Sequence, residues 1–171
     1  MKKVLFAIPL ALALTGCGSD IDLVKGGVME FNQTTTLGKA LDNWESCESR
    51  EWEEFETDNG IKVVQFTCQH KFSQFMSKAK SLLSEEAQAK ANHLDIASNI
   101  QTFQFTINQG DTFQIDNVQV KTTWQDGTSF EDSQKPVEQL ETAYANNLNF
   151  DPAELNEMGA AQISYVFSMI K

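Results

Sequence analysis

The chain has 171 residues, 13 of them Lys or Arg and 24 Asp or Glu, a formal net charge of −11 at neutral pH. That length fits one domain with a modest core, and an acidic surface repels phosphate backbones and anionic headgroups, which excludes nucleic-acid binding. No cofactor is expected, because the chain has no Gly-x-Ser-x-Gly, no phosphate loop and no paired metal-ligand motif around its 2 histidines, His70 and His93.

Lys2 and Lys3 precede an apolar run from Val4 to Leu14 that only Pro9 interrupts. The run is too short for a bilayer-spanning helix, which needs roughly 20 residues, and has the layout of a secretory signal peptide. Leu14-Thr15-Gly16-Cys17 follows it and resembles the bacterial lipobox. The resemblance implies that residues 1–16 are cleaved and that the Cys17 thiol carries acyl chains, palmitate among them, which enter the lipid bilayer. One acyl chain holds only marginally at about 0.8 kcal/mol per buried CH₂, whereas two or more anchor stably. Gly18 and Ser19 stand where an inner-membrane retention Asp would stand, so the same resemblance directs the chain to the outer membrane, facing the periplasm. Loss of Lys2 and Lys3 leaves 11 basic residues against 24 acidic ones, a formal charge of −13.

Residues 17–27 then read as the lipidated Cys and a short tether, and residues 28–171 as a single globular domain. Val28 to Phe31 suits a short strand or an extended arm. Thr36 is an N-cap, and Leu37, Ala40, Leu41 and Trp44 follow at helical spacing, which predicts a helix over 37–45 whose stripe, Trp44 included, faces the core. Asp58-Asn59-Gly60 separates two strand-like runs, 51–57 and 61–70, as a hairpin turn does. Val64, Phe66 and Cys68 share one face of the second run, while Trp52 and Phe55 fall on opposite faces of the first. Phe72, Phe75, Met76, Ala79, Leu82 and Leu83, continued by Ala87, Ala91 and Leu94, predict a long amphipathic helix over 72–95 with a break at Ser84.

Gln101 to Asn108 alternates, Gln109-Gly110-Asp111 turns the chain, and the phase of the returning strand shifts between Ile115 and Val118, which places a β-bulge near Asp116-Asn117. Asp126-Gly127 marks a further turn. Ser133 caps a helix with Pro136 in its first turn and a stripe of Val137, Leu140, Tyr144 and Leu148. Asp151-Pro152-Ala153-Glu154 approximates a capping box for a last helix, although Ile163 to Ile170 is also rich enough in β-branched and aromatic residues for a strand. The order of elements gives α+β, an antiparallel sheet from two β-hairpins packed against a long amphipathic helix and C-terminal helices.

With Cys17 used for lipid, Cys47 and Cys68 remain, and an oxidising compartment favours their pairing over two buried thiols. The densest acidic stretch holds Glu48, Glu51, Glu53, Glu54 and Glu56. Strand alternation splits these carboxylates between two faces, which suits a solvated edge that resists aggregation better than one converging acid–base or calcium site. The same residues are the candidate surface for a basic protein partner. His70 lies on the apolar phase of its strand, as a structural histidine does.

Leu23-Val24-Lys25-Gly26-Gly27, Thr36-Leu37-Gly38-Lys39-Ala40-Leu41-Asp42-Asn43-Trp44 and Trp52-Glu53-Glu54-Phe55-Glu56-Thr57 form a further pattern with Asp58-Asn59-Gly60, Val63-Val64, Phe103-Gln104-Phe105-Thr106-Ile107-Asn108 and Asp111-Thr112-Phe113. The whole resembles a group of small uncharacterised lipoproteins of Gram-negative bacteria. The resemblance implies an envelope address and a single domain, and supplies no catalytic residue. The expected function is a non-enzymatic, membrane-anchored envelope lipoprotein with an accessory or binding role. Two further readings are an acidic inhibitor of a basic envelope-directed protein such as a lysozyme-type hydrolase, where opposite charge speeds encounter, and a carrier of a small apolar ligand, which needs a cavity of several hundred Å³, on the order of typical pockets.

Overall fold

Apolar–polar alternation makes the middle of the chain into strands, and tight turns with glycine at positive φ fold them back on one another. The structure, a computed structural model, describes residues 19–148 and 150–171, so Cys17 lies outside the described residues. It is α+β. Strands β1 (Cys47–Glu56), β2 (Lys62–His70), β3 (Ile96–Asn108), β4 (Thr112–Trp124) and β5 (Ser129–Ser133) form one antiparallel sheet in that order. Helices α1 (Asp20–Gly26), α2 (Leu37–Asp42), α3 (Phe72–Ser81), α4 (Glu85–Ala89), α5 (Pro136–Tyr144) and α6 (Glu157–Ile170) accompany it, with a single 3-10 turn at Asn92–Leu94.

The inward phase of the strands carries two apolar clusters. Val64, Phe66, Phe103, Phe105 and Val118 pack with Val24 of α1, Leu37 and Leu41 of α2 and Leu140 of α5. Toward the other end of the strands, Ile96 and Trp124 pack with Phe72 and Met76 of α3, and Ile163, Phe167 and Ile170 of α6 cover them. The opposite phase is polar: Gln65, Thr67, Thr102, Gln104 and Asn117 are all partly exposed.

Both hairpin turns form where the sequence places them, with Gly60 at φ 76° and Gly110 at φ 82°. The bulge is also present: Gln104 pairs with Asn117 and Phe105 with Ile115, leaving Asp116 as the extra residue. Cys47 and Cys68 form a disulfide with Cα atoms 5.3 Å apart.

Several elements differ from expectation. Residues 20–26, expected as tether, are helical, and Val24 is fully buried, so they belong to the folded body, which was expected to begin at residue 28. A capping box explains it: Ser19 Oγ accepts from the Asp22 amide at 3.1 Å, and the Ser19 amide donates to Asp22 at 3.3 Å. Val28 to Phe31 contributes only the isolated bridge of Met29 with Asn32. Helix α2 stops at Asp42 rather than at residue 45, because Trp44 turns in to meet the core and Cys47 already begins β1. The long helix breaks at Ser84, as expected, because the Ser84 side chain caps a new helix, but the stretch beyond it divides again into α4 and the 3-10 turn at Asn92–Leu94.

Ser133 ends β5, a strand the sequence reading left unassigned, and α5 starts on Pro136 with no side-chain cap. The last helix opens at Asn156, whose Oδ1 accepts from the Gly159 amide at 2.9 Å, while Asp151 caps only a local turn to Ala153. Ile163 to Ile170 is helical. Packing on α3 decides this: Ile163, Phe167 and Ile170 share one helical face against the cluster around Phe72.

Candidate functional site

The five candidate glutamates sit on β1, an edge strand, and all are exposed. They do not converge. Glu54 pairs with Val64 and so shares the phase of the core, whereas Glu51 and Glu53 pair with Thr67 and Gln65 on the polar face. Glu48 lies in the irregularity between Cys47 and Ser49. Two are already engaged. Glu54 Oε2 accepts from the Ile21 amide at 3.2 Å, in the first turn of α1, where a carboxylate is favoured by the helix dipole. Glu53 accepts from Gln65 Nε2 and ends a side-chain ladder across four strands. In that ladder Asn117 donates to Gln104 at 3.2 Å and Gln104 donates to Gln65 at 2.7 Å. The ladder fixes the register of the open face and leaves Glu53 as a structural terminus.

A second constellation went unread in the sequence. Between the two apolar clusters the inward phase turns polar at His70, Gln101, Asn99 and Thr122, all buried. His70 Nδ1 lies 2.9 Å from Ser46 Oγ and His70 Nε2 lies 2.8 Å from Gln101 Oε1. Gln101 then donates to Gln139 of α5 at 2.9 Å, and Asn99 donates to Thr122 Oγ1 at 2.9 Å. The Gln101 carbonyl can only accept, so Nε2 carries the imidazole proton and Nδ1 accepts from the Ser46 hydroxyl. The remaining oxygen, Asn99 Oδ1, has no protein partner although the residue is only 3% exposed.

A cleft of about 360 Å³ opens over this belt between the sheet, α5 and α6. Asn99 and Thr122 lie among its lining residues, and Phe72, Phe130, Phe150 and Phe167 supply aromatic walls. Phe150 and Phe72 meet edge to face at 4.3 Å. A wider hollow of about 640 Å³ beside α1 and Phe113 has no buried orphan polar atom on its lining.

Two Ser–His pairs are present, Ser46–His70 and Ser164–His93, the second at 2.8 Å. Neither completes a charge-stabilised triad. A glutamine occupies the far side of His70, and Asp95, near His93, is bound to Lys80 at 2.7 Å. Burial holds the His70 imidazole below its usual range, and burial followed by the Lys171 and Lys80 charges does the same to His93. Among the described residues no group of three or more His, Cys, Asp or Glu side chains is placed to hold a metal ion.

The depressed histidines predict a pH dependence with a definite sign. A folded-state value below the unfolded one means that the unfolded chain takes up more protons as pH falls. The neutral imidazoles therefore contribute their full stability above about pH 6.5, lose it as pH falls toward the depressed folded values, and lose no more below them. The melting temperature is expected to fall between about pH 7 and about pH 5. His70→Gln, which keeps a neutral hydrogen-bonding side chain, should flatten that fall; an unchanged slope in the variant would assign it elsewhere.

A family model of the prokaryotic membrane lipoprotein lipid attachment site matches residues 1–17. The N-terminus is thus a bacterial lipoprotein signal, with Cys17 as the acylated residue and a lipid anchor at the cell envelope. No curated protein and no solved structure matches the chain. No helix among the described residues is long and apolar enough to cross a membrane.

Proposed function

We propose that the protein is a non-enzymatic lipoprotein of the outer membrane whose body faces the periplasm and acts by binding. The observation that carries this reading is the lipid attachment signal ending at Cys17, followed almost directly by a folded body. Ser19 already caps α1, so almost no linker separates the body from the bilayer. Asp20 binds Lys62 at 3.0 Å at the hairpin-tip end of β2, so the sheet stands on the membrane by that end. The non-enzymatic part rests on the histidines, since neither has a free carboxylate to hold an imidazolium. Inhibition of a basic hydrolase is the weaker reading, because the glutamates do not converge on one site and two of the five, Glu53 and Glu54, are bonded within the chain.

The test is palmitate labelling and membrane fractionation of the wild type and Cys17→Ala. The wild type should take up label and sediment with outer-membrane markers. The variant should lose the label and leave that fraction. Label retained by Cys17→Ala, or wild-type protein in the inner-membrane fraction, would overturn the corresponding half of the proposal.

A further inference from the structure

The open face of the sheet is polar except at one corner. Val63 of β2 lies opposite Phe55 of β1, on the same phase as Gln65, Thr67 and Gln104. Ile61 stands two residues before Val63, where the Thr57 amide donates to its carbonyl at 2.9 Å, and an extended backbone places it on the same face. Phe55 and Ile61 are 40% and 45% exposed, while Val63 beside them is 8% exposed. Exposed apolar side chains scattered singly need no explanation, but these three are neighbours across one hairpin tip. Among the described residues, the open phase of the strands holds one other apolar side chain, Ile100, which lies opposite Gln69 and about 20 Å along the sheet from Val63 at the usual rise per residue.

The lipid anchor reaches the same tip from the other face. Cys17 stands two residues before Ser19, a span of at most about 7 Å. Asp20 is bound to Lys62 at 3.0 Å and the Ile21 amide donates to Glu54 at 3.2 Å, and Lys62 and Glu54 share the phase of the core. The acyl chains and the apolar corner therefore flank one hairpin tip. We propose that Phe55, Ile61 and Val63 rest in the interface of the bilayer that holds the Cys17 acyl chains, as a second point of contact. A single tether leaves a body free to swing about it. Two contacts on opposite faces of a hairpin set its tilt, with the β1 edge low and the cleft and α6 turned away from lipid. Interfacial side chains enter about 5–10 Å, to the boundary of headgroups and acyl chains. Charge does not supply the hold: Glu56 and Asp58 are exposed beside the turn, and Lys62 is paired with Asp20. The partner is thus the apolar boundary of a zwitterionic bilayer rather than an anionic headgroup. The inference rests on the reading that the body stands on the membrane by its hairpin-tip end.

The experiment uses the lipid-anchored protein, with isotope-labelled methyl groups on Ile and Val, in phosphatidylcholine nanodiscs containing a headgroup-nitroxide lipid. Reduction of the nitroxide gives the reference spectrum. The methyl signals of Ile61 and Val63 should lose most of their intensity, while Ile100 on the same face and Ile163 of α6 should keep theirs. Ile21 is the critical comparison, because it lies nearest Cys17 in sequence and packs against the core on the other face of the tip. A tether alone broadens Ile21 most; the proposed contact broadens Ile61 more than Ile21. The order should persist at high salt, which screens charge and not apolar contact. Phe55→Thr/Ile61→Thr keeps two strand-forming residues and the anchor, and should restore most of the Val63 signal. Greatest loss at Ile21, loss at Ile100 equal to that at Val63, reversal of the order at high salt, or Val63 broadening unchanged in the double variant would each overturn the proposal. If the double variant does not fold, the order of Ile61 and Ile21 in the wild type still decides. Protein that takes up label and sediments with membranes yet broadens most at Ile21 fails this inference alone, whereas protein that leaves the membrane fraction fails the reading beneath it.

Discussion

Replacing both Cys47 and Cys68 by Ala is expected to lower the unfolding free energy by about 3 kcal/mol. The disulfide spans a sequence separation of 21 and encloses all of the first hairpin but the last two residues of β2, and closing a loop of that length in the unfolded chain gives this figure in the chain-entropy account. The bridge also sits where the sheet is least supported. Strand β1 is an edge with one paired neighbour, its register is irregular directly after Cys47, and the rest of it is largely exposed. Urea unfolding of the double variant against the wild type measures the effect. The midpoint should fall, and the denaturant slope should rise slightly because the uncrosslinked unfolded chain exposes more surface. Added reductant should move the wild type toward the variant and leave the variant unmoved. A loss below about 1 kcal/mol would show that hairpin structure persisting in the unfolded chain already does the work of the bridge.

What could be read in advance divides along physical lines. Local signals were legible: the Asn59-Gly60 turn, the Thr36 cap, the phase shift at Asp116 and the disulfide all follow from residues that constrain their own neighbourhood. The short helices were less so. Ser19 with Asp22 is a capping box written in Asp rather than Glu, and it hid in a stretch too polar to look folded. The break at Ser84 was legible, whereas the second division, into α4 and the 3-10 turn at Asn92–Leu94, was not. The candidate site was half visible. His70, Gln101 and Thr122 each occupy the inward phase beside Phe66, Phe103 and Trp124, and polar residues repeatedly found in an apolar phase are a signal that several strands can be read together. The orphan oxygen on Asn99 was not visible, because satisfaction is a property of distances between strands and not of spacing along one.

Trp44→Ala is expected to cost about 4 kcal/mol, more than loss of the disulfide. Trp44 is fully buried at the junction between α2 and β1. Its ring meets His70 and Phe103 edge to face at 5.2 and 6.2 Å, which leaves no face free to stack on a ligand. Its Nε1 donates to the Asn147 carbonyl at 2.8 Å, and the Asn146 side chain accepts from the Glu45 amide at 2.8 Å. The indole thus ties the segment after α5 to the sheet, and that segment leads to Phe150, one wall of the cleft. Truncation removes the ring contacts and leaves the Asn147 carbonyl without its donor, so two losses add at one site. Trp44→Phe separates them: it keeps most of the apolar surface and loses only the hydrogen bond, at about 1–2 kcal/mol. Equilibrium urea unfolding gives both numbers. The two variants should differ by about 2 kcal/mol or more, because packing at the centre of the larger cluster outweighs one hydrogen bond. If Phe cost as much as Ala, the hold on Asn147 rather than ring packing would be the main contribution of Trp44, and the cleft would depend on that single bond.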